Sequence, residues 1–162
     1  MNRINRILAA SVAILVLLLC ASVYSQIVVK KSNDGFLEGR NYKEGTAWIV
    51  TFIKHKAGQD IFYLNALADV WRKQQEALKK EGVILSYKVL QTNATRLEDY
   101  NIMLLVEYKD IKSWEANADK QAVILEKIAQ ENPVSWKTLN DDKVFEYFGN
   151  NVSKEIIFKT SE

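Results

Sequence analysis

A single cysteine, a single histidine and a single proline in 162 residues set narrow limits on the chemistry of this chain. Cys20 has no second cysteine to pair with, so the fold must stand without an internal disulfide. One histidine cannot build a zinc site, which draws on about four cysteine, histidine or carboxylate ligands, and no metal is expected. The sequence has no GxSxG, HExxH, phosphate-loop or dinucleotide glycine motif. Serine-hydrolase, zinc-protease and nucleotide-dependent readings therefore fall away, and no cofactor is expected. Charge of one sign is also lacking: 22 basic residues face 20 acidic ones. No basic cluster is interleaved with aromatics, which argues against a nucleic-acid partner.

What is present begins with an N-terminal targeting pattern. Arg3 and Arg6 precede an apolar run from Ile7 to Cys20, with no acid among the first 25 residues. A basic start followed by a short apolar stretch is the layout of a secretory signal, and a membrane span takes about 20 apolar residues. Val23 and Ser25 are small enough for a signal peptidase, which places cleavage before Gln26 and the protein in the periplasm or outside the cell. Loss of Arg3 and Arg6 would leave 20 basic against 20 acidic residues. Two other readings stay open. Cys20 as a lipoprotein cysteine is disfavoured by Leu19 before it, whereas residues 7–24 left uncleaved would anchor the chain in a membrane.

Residues 26–45 carry Gly35, Gly39 and Gly45 among mixed charges, and read as an arm or linker with a short strand at Gln26–Lys30. Residues 46–162 form the domain. Thr46–Lys54 (TAWIVTFIK) is a strand apolar on both faces, so both faces should be covered. Asp60–Glu81 is a helix with Asp60 as N-cap, Gly82 beyond its end, and a stripe of Ile61, Leu64, Ala68, Trp71 and Leu78. Val83–Thr92 and Tyr100–Lys109 are strands, each with one apolar and one mixed face. Asp110 caps a second helix, with Ile111, Trp114, Ala118, Leu125 and Ile128 inward, that stops near Asn132 before Pro133. Ser135–Phe148 reads as a short helix ending at Gly149, and Glu155–Lys159 as a last strand. The order gives a ferredoxin-like βαββαβ α+β fold, with four antiparallel strands backed by two helices.

The strand WIVTFIK leading into a long helix, then GVILSYKVL, then NIMLLVEYKD with its capping aspartate, resembles the dimeric α/β-barrel superfamily. That group includes antibiotic-biosynthesis monooxygenase, EthD-like and NIPSNAP-like domains. The resemblance spans about Thr46 to Lys159 and is one of element pattern. It implies a homodimer joined sheet to sheet around a cavity, which in some members holds a substrate or haem. It carries over no catalytic residue.

Composition agrees on one point. Helices on one side of a four-stranded sheet leave the other side bare. That side would hold either Trp48, Val50 and Phe52 or Ile49, Thr51 and Ile53, together with Leu90, Met103 and Leu105, and self-association would cover it. On the mixed strand faces, Ser86, Lys88 and Glu107 are the candidate ligand-binding residues, as polar groups converging on an apolar pocket. The plainer reading makes Lys88 and Glu107 a cross-strand ion pair. His55 is the candidate general base or haem ligand, against a plainer reading as a solvated loop residue. Trp71, Trp114 and Trp136 read as core. Asn93-Ala-Thr95 and Asn151-Val-Ser153 match the glycosylation pattern. Three functions fit: a binder of a small apolar molecule, a cofactor-independent monooxygenase or isomerase, and a structural or partner-binding domain tethered by an uncleaved N-terminus.

Overall fold

The computed structural model describes residues 35–93, 96 and 99–160. The expected signal at 1–25, the strand expected at Gln26–Lys30 and Thr95 of the first glycosylation pattern lie outside the described residues. The chain divides into two compact units, 1–41 and 42–162. In the first, Phe36 is buried and the Arg40 amide donates to the Leu37 carbonyl at 3.0 Å.

The second unit starts earlier than alternation alone indicates. Strand β1 runs Tyr42–His55, and the residues before Thr46 join it by pairing with the far end of the last strand, Tyr42 opposite Phe158 and Lys43 opposite Ile157. The long helix follows as α1 (Asp60–Ala66), a π-helical turn (Leu67–Trp71) and α2 (Arg72–Lys80). Asp60 lies in the first turn, where its charge suits the helix dipole, and Gln59 is the N-cap. Strands β2 (Ser86–Gln91) and β3 (Ile102–Tyr108) come next. Then follow α3 (Ile111–Ala116), α4 (Ala118–Glu131) and α5 (Pro133–Thr138), and strand β4 (Phe145–Phe158) closes the domain.

The sheet order is β2-β3-β1-β4 with every pairing antiparallel, which is the ferredoxin-like arrangement. Helices cover one face. Ala47 and Tyr108 pack there with Leu78, Val83 and Ile84, while Ile53, Ile102 and Leu104 pack with Tyr63 and Leu67. Among the described residues, no helix is long and apolar enough to cross a membrane.

Three expectations need correction. The buried stripe of the first long helix is Tyr63, Ala66, Leu67, Val70, Gln74 and Leu78, whereas Ile61 and Ala68 are exposed. The π turn carries an extra residue per turn and rotates the inward face, so Gln74 ends up buried and donates to the Leu125 carbonyl at 2.9 Å. The second helix breaks at Asn117, whose side chain donates to the Ser113 carbonyl at 2.7 Å; this leaves Ala118 exposed and brings Gln121 inward. Finally, Phe145–Phe148 is strand and not helix. After a turn closed by the Val144 amide on the Asp141 carbonyl, the chain gains a full ladder with β1, and the Tyr63 ring packs on Phe145. Pro133 does end α4 as expected, at the first position of α5.

Candidate functional site

Cross-strand partners share a face, so the register resolves the choice left by alternation. The row Leu90–Met103–Phe52 crosses three strands on the side away from the helices, and Lys88–Leu105–Val50–Asn151 and Ser86–Glu107–Trp48–Ser153 lie beside it across all four. The bare face therefore holds Trp48, Val50 and Phe52, while Ile49 and Ile53 turn to the core. Tyr100 tilts against Phe52 with ring centroids 4.7 Å apart and extends the apolar end. Leu90 is 42% exposed. The other end of the face is polar.

Glu107 centres that polar end. The Ser86 hydroxyl donates to its Oε2, and the Thr46 hydroxyl lies 2.8 Å from its Oε1. Both oxygens are thus held by hydroxyls from flanking strands, which fixes the plane of the carboxylate and leaves lone pairs for a further donor. Thr46 also links to Glu155, whose Oε2 lies 3.2 Å from the Thr46 hydroxyl and 3.4 Å from its amide nitrogen. One hydroxyl proton serves one carboxylate at a time, and Glu107 is the closer. Gly45 makes room for this contact, because a Cβ there would stand 2.5 Å from Glu155 Oε2.

Lys88 does not pair with Glu107. It sits opposite Leu105, one row away, and its Nζ lies 5.3 Å from the centre of the Trp48 ring, within cation–π range. The structure thus brings Ser86 and Glu107 together, keeps Lys88 on the same face, and adds Thr46, Trp48 and Glu155. Strand alternation was enough to put Thr46 beside Trp48's face. Glu155 needed the β1–β4 register, which no local pattern encodes.

His55 is elsewhere, and it is not a solvated loop residue. It closes β1 opposite Phe145, on the face turned to the helices, and both ring nitrogens are shut from solvent without a hydrogen-bond partner among the described residues. Its amide donates to Asn101 Oδ1 at 3.0 Å, so its backbone helps tie β1 to the start of β3. Trp71 and Trp114 pack half-buried against the core, whereas Trp136 is 42% exposed. Among the described residues, no group of three or more histidine, cysteine or acidic side chains is placed to hold a metal ion. A hollow of about 540 Å³ between α2 and α4 is lined by Lys80, Lys120 and Ile124 among others, and by none of the four candidates.

No family model matches the chain, and no curated protein sequence matches it. Similar solved structures exist. Two dimeric ferredoxin-like proteins from uncultured marine organisms align with 72% and 74% of this chain and 92% and 99% of theirs. They show 13% and 19% identity, with TM-scores of 0.44 and 0.40. A dimeric protein of unknown function with a ferredoxin-like fold, from Bacteroides fragilis, aligns with 72% of this chain and 96% of its own, at 19% identity and a TM-score of 0.37.

Proposed function

We propose that two copies of this domain join their open sheet faces and hold a small, mostly apolar molecule between them. The observation that carries this reading is the composition of that one face. Trp48, Val50, Phe52, Leu90, Met103 and Leu105 form a continuous apolar surface that no helix among the described residues covers, and it ends at a carboxylate whose two oxygens are held by hydroxyls. A contiguous apolar patch rimmed by polar groups is how interaction sites are built. Glu107 is the recognition group, accepting a hydrogen bond from a hydroxyl or amine on the ligand. Lys88, stacked on Trp48, flanks the same space and orients a polar substituent.

A thermal-shift screen of small phenols and aromatic amines tests this on wild type, Glu107→Gln and Lys88→Met. Binding that weakens at least tenfold in Glu107→Gln, with the dimer retained, is the expected result. If both variants keep every ligand response of the wild type, the charged residues merely decorate the sheet and the ligand reading fails.

A further inference from the structure

On the opposite side of the sheet, beside strand β2, lies a hollow of about 230 Å³ walled by Leu64, Leu67, Ala68 and Trp71 and by Tyr87 and Val89. Its one charged wall residue is Arg72. The π turn sets Arg72 there. The Arg72 amide donates to the Leu67 carbonyl, five residues back, and not to Ala68, which a regular α-helix would give it. The side chain takes over that role, its Nε donating to the Ala68 carbonyl at 3.3 Å. The stem is thereby pinned along the helix, and the two terminal nitrogens of the guanidinium have no ion pair among the described residues. The walls are equally fixed. Trp71 and Tyr87 meet edge to face at 5.4 Å, and the Tyr87 hydroxyl is held by Glu76. Glu76 is engaged in that bond and does not line the hollow.

We infer that this hollow is a second binding site, for a small carboxylate with an apolar body. Apolar walls exclude water from the body of the ligand. The guanidinium fork matches a carboxylate in two parallel hydrogen bonds, which strengthen where water is displaced. The space is small, which restricts the body to one ring or a short chain. A π turn is uncommon in itself and frequent at functional sites; here it places the cation and shapes the wall together. The inference is independent of the open face, since none of Ser86, Lys88, Glu107 or the dimer-side aromatics lines the hollow.

Benzoate is the probe, titrated into the full chain while the indole N–H signal of Trp71 is followed by NMR. Saturable movement of that signal is expected. Arg72→Gln should weaken binding at least tenfold, and Ala68→Leu, which fills the hollow from an exposed helix position, should abolish it without moving the urea midpoint. Benzamide, of equal shape and no charge, should bind at least tenfold more weakly than benzoate. A Trp71 signal unmoved by benzoate, equal binding of benzamide, or an unchanged dissociation constant in Arg72→Gln or Ala68→Leu would each overturn the assignment.

Discussion

Tyr108 ends β3 inside the core, with its hydroxyl donating to Gln121 Oε1 at 2.8 Å while Gln121 Nε2 donates to the Trp114 carbonyl at 3.1 Å. The two links tie the sheet to α3 and α4. Burial pushes the phenol up to about 12. A pKa raised by folding means that the unfolded chain ionises first, so stability is full below about pH 10 and falls as pH climbs from there towards 12. Tyr63, raised by burial as well, adds to the same slope. Urea unfolding measured from pH 8 to 12 should therefore show a flat region and then a decline, shallower in Tyr108→Phe. At neutral pH the same variant should lose about 1–2 kcal/mol, because Gln121 keeps a buried acceptor without its donor. An alkaline slope identical to wild type would contradict this assignment. At this scale the sequence was informative about faces and poor about partners. Alternation put Ser86, Lys88 and Glu107 on mixed faces, but the one-residue register that pairs Ser86 with Glu107 and sends Lys88 to Trp48 is a property of the assembled sheet.

The helix ends illustrate what local chemistry does determine. Gly82 takes a left-handed φ of 67°, its amide donates to Lys79 and the next amide, of Val83, to Leu78. These are the two bonds of a Schellman cap, and they drop Val83 and Ile84 straight into the core. No atom lies within 4 Å of where a Cβ would stand on Gly82, so an alanine there meets only backbone strain. Gly82→Ala should cost about 1–2 kcal/mol in urea unfolding, with Gly82→Asn milder. A neutral Gly82→Ala would show that the left-handed cap is not needed. This cap, the Asp110 side chain accepting from the Ser113 amide, and the stop at Pro133 were all legible, because each depends on residues within one turn. The bond from the Ser113 amide holds the Asp110 carboxyl below its ordinary range. The π turn was not legible. Its sequence, LADVW, carries no breaker, and the extra residue is accepted because Tyr63, Leu67 and Val70 then face the sheet together. Phe145–Phe148 misled for a similar reason: an apolar run of that length suits a helix or a strand until its partner is known, and the partner is β1, far away in sequence.

At the scale of the whole molecule, one asymmetry dominates. Among the described residues, helices pack on one face of the sheet and none packs on the other, yet the apolar side chains are divided between the two. Trp48, Phe52, Met103 and Leu105 are only half-buried, and since fully burying a large apolar side chain is worth roughly 1.5–3 kcal/mol, a second copy meeting this face gains part of that for each. The same join would enclose Glu107 and Lys88, whose existing contacts with Ser86, Thr46 and Trp48 lower the cost of shutting out water. Strand β4 extends this design as a long exposed edge, with Asn151 and Ser153 on the open side. The most direct measurement is sedimentation equilibrium of the wild-type chain and of Phe52→Asp at micromolar concentration. The face-to-face dimer predicts twice the chain mass for wild type and a single chain mass for Phe52→Asp, with its far-ultraviolet circular dichroism unchanged. A wild-type monomer, or a dimer that Phe52→Asp leaves intact, would contradict it.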